Sequence, residues 1–318
     1  MKQKIYLIDA TAEKGHVLFL KRLIQILEKE YEIEFISSTG FANAVERESS
    51  IKFRERWFER PSRIHFVIYQ ILILLKVAWH LDKKVPMVFT GFENISFSLC
   101  SRIFRSNRVF AYLHNNLDKT GISNFFLRNT SNKVCFIAME EYIKEYFIDI
   151  VKNEVAFTPH PLNLDPKTPT VDGGYIFAIN INLSDSQVRE QIKKIANERK
   201  SKIFVKLHPD SDFETKMKGV VVEKYFSDYL EKIRNASLII LQIPYDYRVS
   251  GVFYECSTLN KPILFIGQKG QFAEKMIQEY PFAGDNISVI DKRRLGSNFE
   301  FYKRSSDSKI LKLWQQIL

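Results

Sequence analysis

Between Ile5 and Ile36 the chain alternates short apolar runs with one amphipathic stretch, and this alternation restricts the fold more than any other feature. Ile5-Tyr-Leu-Ile8 is followed by a polar loop from Asp9 to Gly15. In Val17–Leu27 apolar residues then recur every third and fourth position, the period of a helix with one buried face. Ile33-Glu-Phe-Ile36 is a second short run, closed by Ser37-Ser-Thr-Gly40. Strand, loop, helix, strand is a βαβ unit, and it implies a parallel sheet. The runs Val85–Thr90, Arg108–Leu113 and Lys133–Ala138 extend the pattern, and the charged residues 43 to 60 are predicted helical.

The pattern breaks at Phe157–Thr170, where four prolines cannot continue a helix or occupy a central strand. It restarts beyond. Gly174–Ile179, Ser201–Leu207, Ser237–Gln242 and Lys261–Ile266 read as strands. Ser184–Arg199 reads as a helix that Ser184 could cap, Gly251–Leu259 as another, and Ser308–Leu318 as the last. The length, 318 residues, suits two domains of about 150 each. The expected organisation is an α/β chain of two Rossmann-like domains, 1–163 and 164–318, with the last helix free to pack back on the first.

Lys and Arg outnumber Asp and Glu by 47 to 37, a formal net charge of +10, which favours an anionic partner. A nucleic-acid partner is not expected, because the chain has no basic tail, zinc-finger spacing or aromatic RNA-binding signature. Three widely spaced cysteines, Cys100, Cys135 and Cys256, give neither a metal-ligand pattern nor a disulfide framework, and read as free buried thiols in a reducing compartment. Met1–Asp9 is too short and too soon polar for a signal peptide, so a cytoplasmic protein is expected. The most apolar segment, Ile64–Trp79, approaches the length of a membrane span but is interrupted by His65, Gln70 and Lys76. Beside Arg54, Arg56, Lys83 and Lys84 it reads either as a patch held peripherally on the inner face of the cell membrane or as a core helix.

The segment with most chemical content is Ile243–Leu264. A strand ends there in a polar loop, and a helix opens at Ser250-Gly251, whose free backbone N–H groups and positive dipole end suit a diphosphate. Gly251 permits close approach, Ser250 can cap the helix or bond a phosphate oxygen, and Arg248 adds a planar cation. Glu255 falls about one turn into the helix.

This stretch resembles the donor half of GT-B glycosyltransferases, in particular those bearing a Glu-x7-Glu motif. Glu255-Cys-Ser-Thr-Leu-Asn260-Lys-Pro262-Ile263 stands where the family run ends Glu-Ala-x-Ala-x-Gly-x-Pro-Val, with Asn260 at the helix-ending Gly and Tyr247 in place of the first Glu. Lys206-Leu-His208-Pro209 is similar to a Lys-x-His-Pro element of bacterial sialyl-, polysialyl- and glycerophosphotransferases. The resemblance implies two Rossmann-like domains facing each other across a cleft, with an acceptor side in the first. Lys206 and His208 would meet the donor phosphates, Glu255 the ribose. In the first half it implies cleft-lining roles for His16, after the first strand, and His114, at the end of Val109–Leu113. With the strand-end acid Glu93, these are the candidate proton acceptors, ranked His114, His16, Glu93.

The expected activity is a metal-independent glycosyltransferase of the hexosyl type. It moves a sugar from a nucleotide-sugar, UDP-linked, to a hydroxyl of a cell-surface glycan or lipid-linked oligosaccharide, as in polysaccharide biosynthesis. The nucleotide-sugar is a co-substrate and no cofactor is expected. The alternatives are a CMP- or CDP-donor transferase of the sialyl or glycerophosphate type, a sugar-nucleotide epimerase carrying more acidic groups, and a non-catalytic GT-B partner subunit.

Overall fold

In a parallel sheet covered on both faces every strand residue is buried, which is why the strands are short unbroken apolar runs. The computed structural model describes residues 2–104, 108–118, 121–162, 173–208, 211, 217–259, 261–280, 282–293 and 303–318. Its contacts divide the chain into two units. The first is Met1–Pro161 with Tyr247–Val249 and Ser305–Leu318; the second is Leu162–Asp246 with Ser250–Arg304.

The first unit is built on β1 (Gln3–Asp9), β2 (Tyr31–Ile36), β3 (Met87–Gly91), β4 (Val109–Tyr112), β5 (Val134–Ala138) and β6 (Val155–Phe157). The six pair in the order β2-β1-β3-β4-β5-β6, all parallel. All residues of β3, β4 and β5 are buried. The connecting helices are α1 (Val17–Leu27), α2 (Thr39–Ala44), α3 (Arg63–His80), α4 (Asn94–Cys100), α5 (Ile122–Arg128) and α6 (Glu141–Ile148). Because β2 lies on one side of β1 and β3 on the other, chain direction across the sheet reverses between β1 and β3. Such switch points at the carboxyl edge are where open α/β sheets bind ligands.

The second unit repeats the scheme with β7 (Ile176–Ile181), β8 (Ile203–Leu207), β9 (Val220–Glu223), β10 (Leu238–Leu241), β11 (Ile263–Phe265) and β12 (Ala283–Gly284). Their order is β12-β11-β10-β7-β8-β9, again all parallel. The reversal here lies between β7 and β10. The helices are α7 (Ser186–Arg199), α8 (Tyr229–Asn235), α9 (Gly251–Thr258), α10 (Gln271–Glu279) and α11 (Ile287–Arg293). Ile192 and Val188 of α7 pack with Ala178, Val205 and Ile240 of three strands in one core.

Some local expectations differ from what forms. Residues 43–60 are not one helix: α2 ends at Ala44 and only a 3₁₀ turn, Glu55–Phe58, follows. The stretch is charged without an apolar face, and helices of that kind gain no burial. The cap of α7 is Asp185, whose carboxylate accepts from the backbone N–H of Gln187 and Val188, and not Ser184. In the proline-rich stretch, Phe157 ends β6, while residues 163–172 lie outside the described residues, as do Pro209 and Asn260. All three cysteines are free and buried, and burial pushes the Cys135 thiol up to about 12.

The C-terminal helix, Asp307–Ile317, completes the first unit. Trp314 is fully buried with its ring 5.9 Å from that of Phe110 and 6.1 Å from that of Tyr112. Asp307, in its first turn, is bridged by Arg22 and Lys29, each at 2.7 Å. Trp314→Ala removes the anchor and leaves a void under β4. A loss of about 3–5 kcal/mol is expected in denaturant unfolding, whereas Asp307→Ala, at the surface, costs about 1 kcal/mol or less.

Candidate functional site

At the switch point of the first unit, β1 ends in Asp9, a carboxylate wholly screened from solvent. A buried carboxylate needs donors, and the loop after β1 supplies them. Oδ1 accepts from the Ala12 N–H at 2.8 Å and from the Thr11 N–H and hydroxyl at 3.2 Å each. Oδ2 faces the Thr90 hydroxyl at 3.3 Å and His16 Nδ1 at 3.2 Å. Ala12 takes a left-handed φ of 49° within this turn. Gly91, at the end of β3, lies so close that a Cβ would stand 2.5 Å from the Thr11 hydroxyl and 2.6 Å from Asp9 Oδ1. Only glycine fits there.

His16 closes a 3₁₀ turn just before α1, and its Nε2 lies 3.7 Å from a Glu13 carboxylate oxygen. Burial alone would lower its pKa, but the hydrogen bond to Asp9 and the charges of Asp9 and Glu13 together hold it above 6.5. His114, just past β4, stacks on it with ring centroids 4.3 Å apart, and Phe19 of α1 meets His114 edge-on at 4.7 Å. Burial first, then repulsion from His16 and His160, keeps the His114 pKa well below 6.5. His114 Nε2 is buried with no hydrogen-bond partner, so a neutral imidazole presents a vacant polar atom beside His16. Glu93 is engaged differently: it caps α4, accepting from the Ser96 N–H at 2.8 Å and hydroxyl at 2.9 Å. It also lines a cavity of about 400 Å³ with Arg60, Arg63, Phe66, Val67, Asp118 and Ser123.

In the second unit a cavity of about 190 Å³ opens at the β7/β10 switch point, lined by Asn180, Asn182, His208, Ser211, Gln242, Pro244 and Tyr245. The wall is polar and internally braced. Gln242 accepts from the Asn182 N–H at 2.8 Å, the Ser211 hydroxyl donates to Asn182 at 3.2 Å, and the His208 N–H holds the Ile181 carbonyl at 3.1 Å. Asn180 sits at the end of β7 with φ of 58°, a conformation Asn tolerates. A Cβ on Gly270 would lie 2.1 Å from the Tyr245 carbonyl, so glycine lets the β10–α9 loop close down on the α10 amino end.

Lys206, on β8, is half-buried and donates to Asn180 Oδ1 at 3.4 Å. Glu255 lies inside α9, 6% exposed, and accepts from the Tyr229 hydroxyl at 3.2 Å. Burial raises its pKa to about 7 against the opposing pull of that hydrogen bond and of the Lys206 ammonium. Burial lowers Lys206 in turn, with Glu255 opposing. Ser250 caps α9, its hydroxyl accepting from the Phe253 N–H at 3.3 Å, and Gly251 is the first helical residue. Arg248 clusters by contact with the first unit.

The predicted residues therefore fall into separate groups: His16 stacked with His114, Glu93 at the cap of α4, Lys206 and His208 at the end of β8 with Glu255 of α9 facing Lys206, Ser250 and Gly251 at the opening of α9, and Arg248 with the first unit. Sequence reading missed Asp9, Asn180, Asn182, Gln242 and Tyr245. All but Tyr245 lie at or just past the end of a strand, and that placement was the available signal. Tyr229 reaches Glu255 from a helix distant in sequence, and no spacing announces it. Among the described residues no group of three or more His, Cys, Asp or Glu side chains is placed to hold a metal ion.

No protein-family model matches the chain, and no curated protein sequence matches it. Solved structures do. A UDP-N-acetylglucosamine 2-epimerase from Rickettsia bellii matches with a TM-score of 0.64 at 14% identity, over 99% of this chain and 97% of that one. The Anabaena protein HepE in complex with UDP-glucose gives 0.63 at 11%, over 99% and 98%. The calicheamicin glycosyltransferase CalG4 gives 0.53 at 9%, over 100% and 99%. At these identities the likeness establishes the fold: two parallel six-stranded α/β units of the GT-B type.

Glu255 supplies a test of the second unit. Its folded pKa lies above the ordinary 4.5, so the folded state binds more protons and stability falls as pH rises from about 4.5 to about 7. In urea unfolding, Glu255→Gln should flatten that slope and leave the protein relatively more stable above pH 7.

Proposed function

We propose that the protein is a UDP-sugar-dependent glycosyltransferase in which His16, oriented by Asp9, takes the proton of the acceptor hydroxyl. The observation that carries this reading is the contact between buried Asp9 and half-buried His16 at the sheet's switch point. A general base needs a raised proton affinity, a fixed tautomer and a free second nitrogen. Asp9 accepts the Nδ1 proton, which leaves Nε2, 3.7 Å from a Glu13 carboxylate oxygen, to receive another, and both carboxylates then stabilise the imidazolium. The neutral His114 beneath, with Nε2 unpartnered, is suited to receive a sugar hydroxyl as a hydrogen-bond donor.

In the reaction the acceptor oxygen forms a bond to the anomeric carbon of the donor sugar as the bond from that carbon to the diphosphate oxygen breaks. The electron pair leaves with UDP, and the proton passes to His16 and then to solvent. A single displacement of this kind inverts the anomeric configuration. The β7/β10 cavity, with polar side chains on its wall and Lys206 behind Asn180, offers hydrogen-bond donors and a cation for the diphosphate. Those groups make the chemistry metal-independent in this reading. UDP is preferred to a CMP or CDP carrier because HepE, of like fold, was solved with UDP-glucose. The acceptor is a hydroxyl of a cell-surface glycan or lipid-linked oligosaccharide.

A second reading, a UDP-sugar 2-epimerase, is favoured by the Rickettsia bellii likeness over nearly the whole of both chains and by buried Asp9, Glu93 and Glu140 in the first unit. It requires breaking C2–H with no acceptor present, so deuterium would enter C2 of UDP-N-acetylglucosamine in heavy water.

The deciding assay measures UDP released from UDP-glucose and UDP-N-acetylglucosamine with octyl glucoside offered as acceptor, alongside calorimetry of UDP binding. His16→Asn should reduce kcat about 10²–10⁴-fold with UDP affinity unchanged. Wild-type activity should climb as pH rises through a value above 6.5, and Asp9→Asn should move that limb down. Full activity in His16→Asn would refute the assigned base. UDP binding without turnover of any sugar would leave a non-catalytic nucleotide-binding subunit.

A further inference from the structure

Helix α3 is apolar on two opposite faces. Its inner face, Gln70, Ile73, Leu74 and Val77, is buried, and Gln70 Nε2 donates to the Ala10 carbonyl at 2.6 Å, fastening the helix beneath the end of β1. Positions 64, 68, 72, 75 and 79 lie on the other side, within one narrow stripe at 100° per residue. They are Ile64, Ile68, Leu72, Leu75 and Trp79, exposed by 73, 48, 38, 43 and 88%. A surface helix of a soluble domain normally turns charges outward, and a run of large apolar groups there marks a contact surface. The neighbours extend it in kind: α4, which packs on α3, exposes Leu99, and α5, which packs on α4, exposes Ile122 and Phe125.

The charge around the stripe selects its occupant. From Lys52 to Lys84 eight Lys or Arg stand against three Asp or Glu, with Arg60 and Arg63 at one end of α3 and Lys83 and Lys84 past the other. A second copy of a chain of net charge +10 would bring like charges together at this face. An anionic lipid leaflet would neutralise them while taking up the apolar side chains. Trp79, the most exposed, has the amphipathic ring that settles at lipid headgroups. The helix has the length and apolar content to cross a bilayer. Spanning would nevertheless pull Ile73, Leu74 and Val77 out of the core, so the fold allows it to lie along the surface only.

We propose that α3 docks the first unit on an anionic membrane, its Ile64–Trp79 stripe in the headgroup boundary and the flanking Arg and Lys residues on lipid phosphates. The 400 Å³ cavity lined by Arg60, Arg63, Glu93 and Asp118 begins at the amino end of that stripe. The inference stands apart from the proposed transfer reaction, since it needs neither UDP nor His16.

Co-sedimentation of the full chain with vesicles tests it, using phosphatidylcholine alone or mixed with phosphatidylglycerol. The protein should pellet with the anionic vesicles, weaken as salt is added, and blue-shift the Trp79 emission in a manner lost in Trp79→Phe. The triple variant Ile68→Ser, Leu72→Ser, Trp79→Ser should lose binding by about tenfold or more, with its melting temperature and UDP affinity unchanged. No binding to anionic vesicles by a folded wild type would overturn the proposal. A concentration-dependent dimer that the triple variant dissociates would overturn it in favour of a second copy.

Discussion

A carboxylate with no access to water must find its hydrogen-bond donors in the protein, and in this fold that requirement falls on Asp9. Left unpaired, it would cost several kcal/mol. The loop after β1 wraps over it with the Thr11 and Ala12 N–H groups, Thr90 leans in from β3, and Gly91 is the residue small enough to let both strands close. The same closure seats His16 at the head of α1 with one nitrogen committed to Asp9, and places His114 as a stacked floor beneath it. Two imidazoles in contact cannot both be charged cheaply. The one touching the carboxylate keeps the proton and the other stays neutral.

The second unit meets an equivalent problem with a different solution. Its switch-point cavity is walled by amides, an imidazole and hydroxyls that brace each other, and the ionisable pair Lys206 and Glu255 is half-buried to buried close by. Neutral donors around a cavity, with one cation behind them, form a setting in which an anion can replace water without stranding a charge. The α3 stripe adds a third constraint. One helix serves the core with Ile73, Leu74 and Val77 while offering five large apolar groups outward, a use of sequence that core packing alone does not require.

Much of the architecture was legible because parallel strands buried on both faces leave continuous apolar runs, as in Val134–Ala138 and Leu238–Leu241. The opening of α9 at Ser250-Gly251 was also readable, since a cap residue before a buried helix is a local signal. Residues 43–60 misled for the complementary reason: charge density resembles a solvated helix, and the missing apolar period was the decisive feature. The site was less legible. His16, in the loop after β1, and His114, just past β4, were visible from the sequence, but their stacking depends on the β1-β3-β4 order, which no spacing encodes. Asp9 was hidden in plain view at a strand end, and the Tyr229–Glu255 contact joins two helices through tertiary packing alone.

The division of roles between His16 and His114 requires that the two rings, in contact, hold protons unequally. Imidazole nitrogen chemical shifts followed by NMR across pH 4 to 9, with labels assigned through His16→Asn and His114→Asn, measure this directly. The predicted result is a titration of His16 above the ordinary 6.5, with His114 neutral down to a pH well below that value. A His114 that gains its proton at higher pH than His16 would contradict the account and move the base to the other ring.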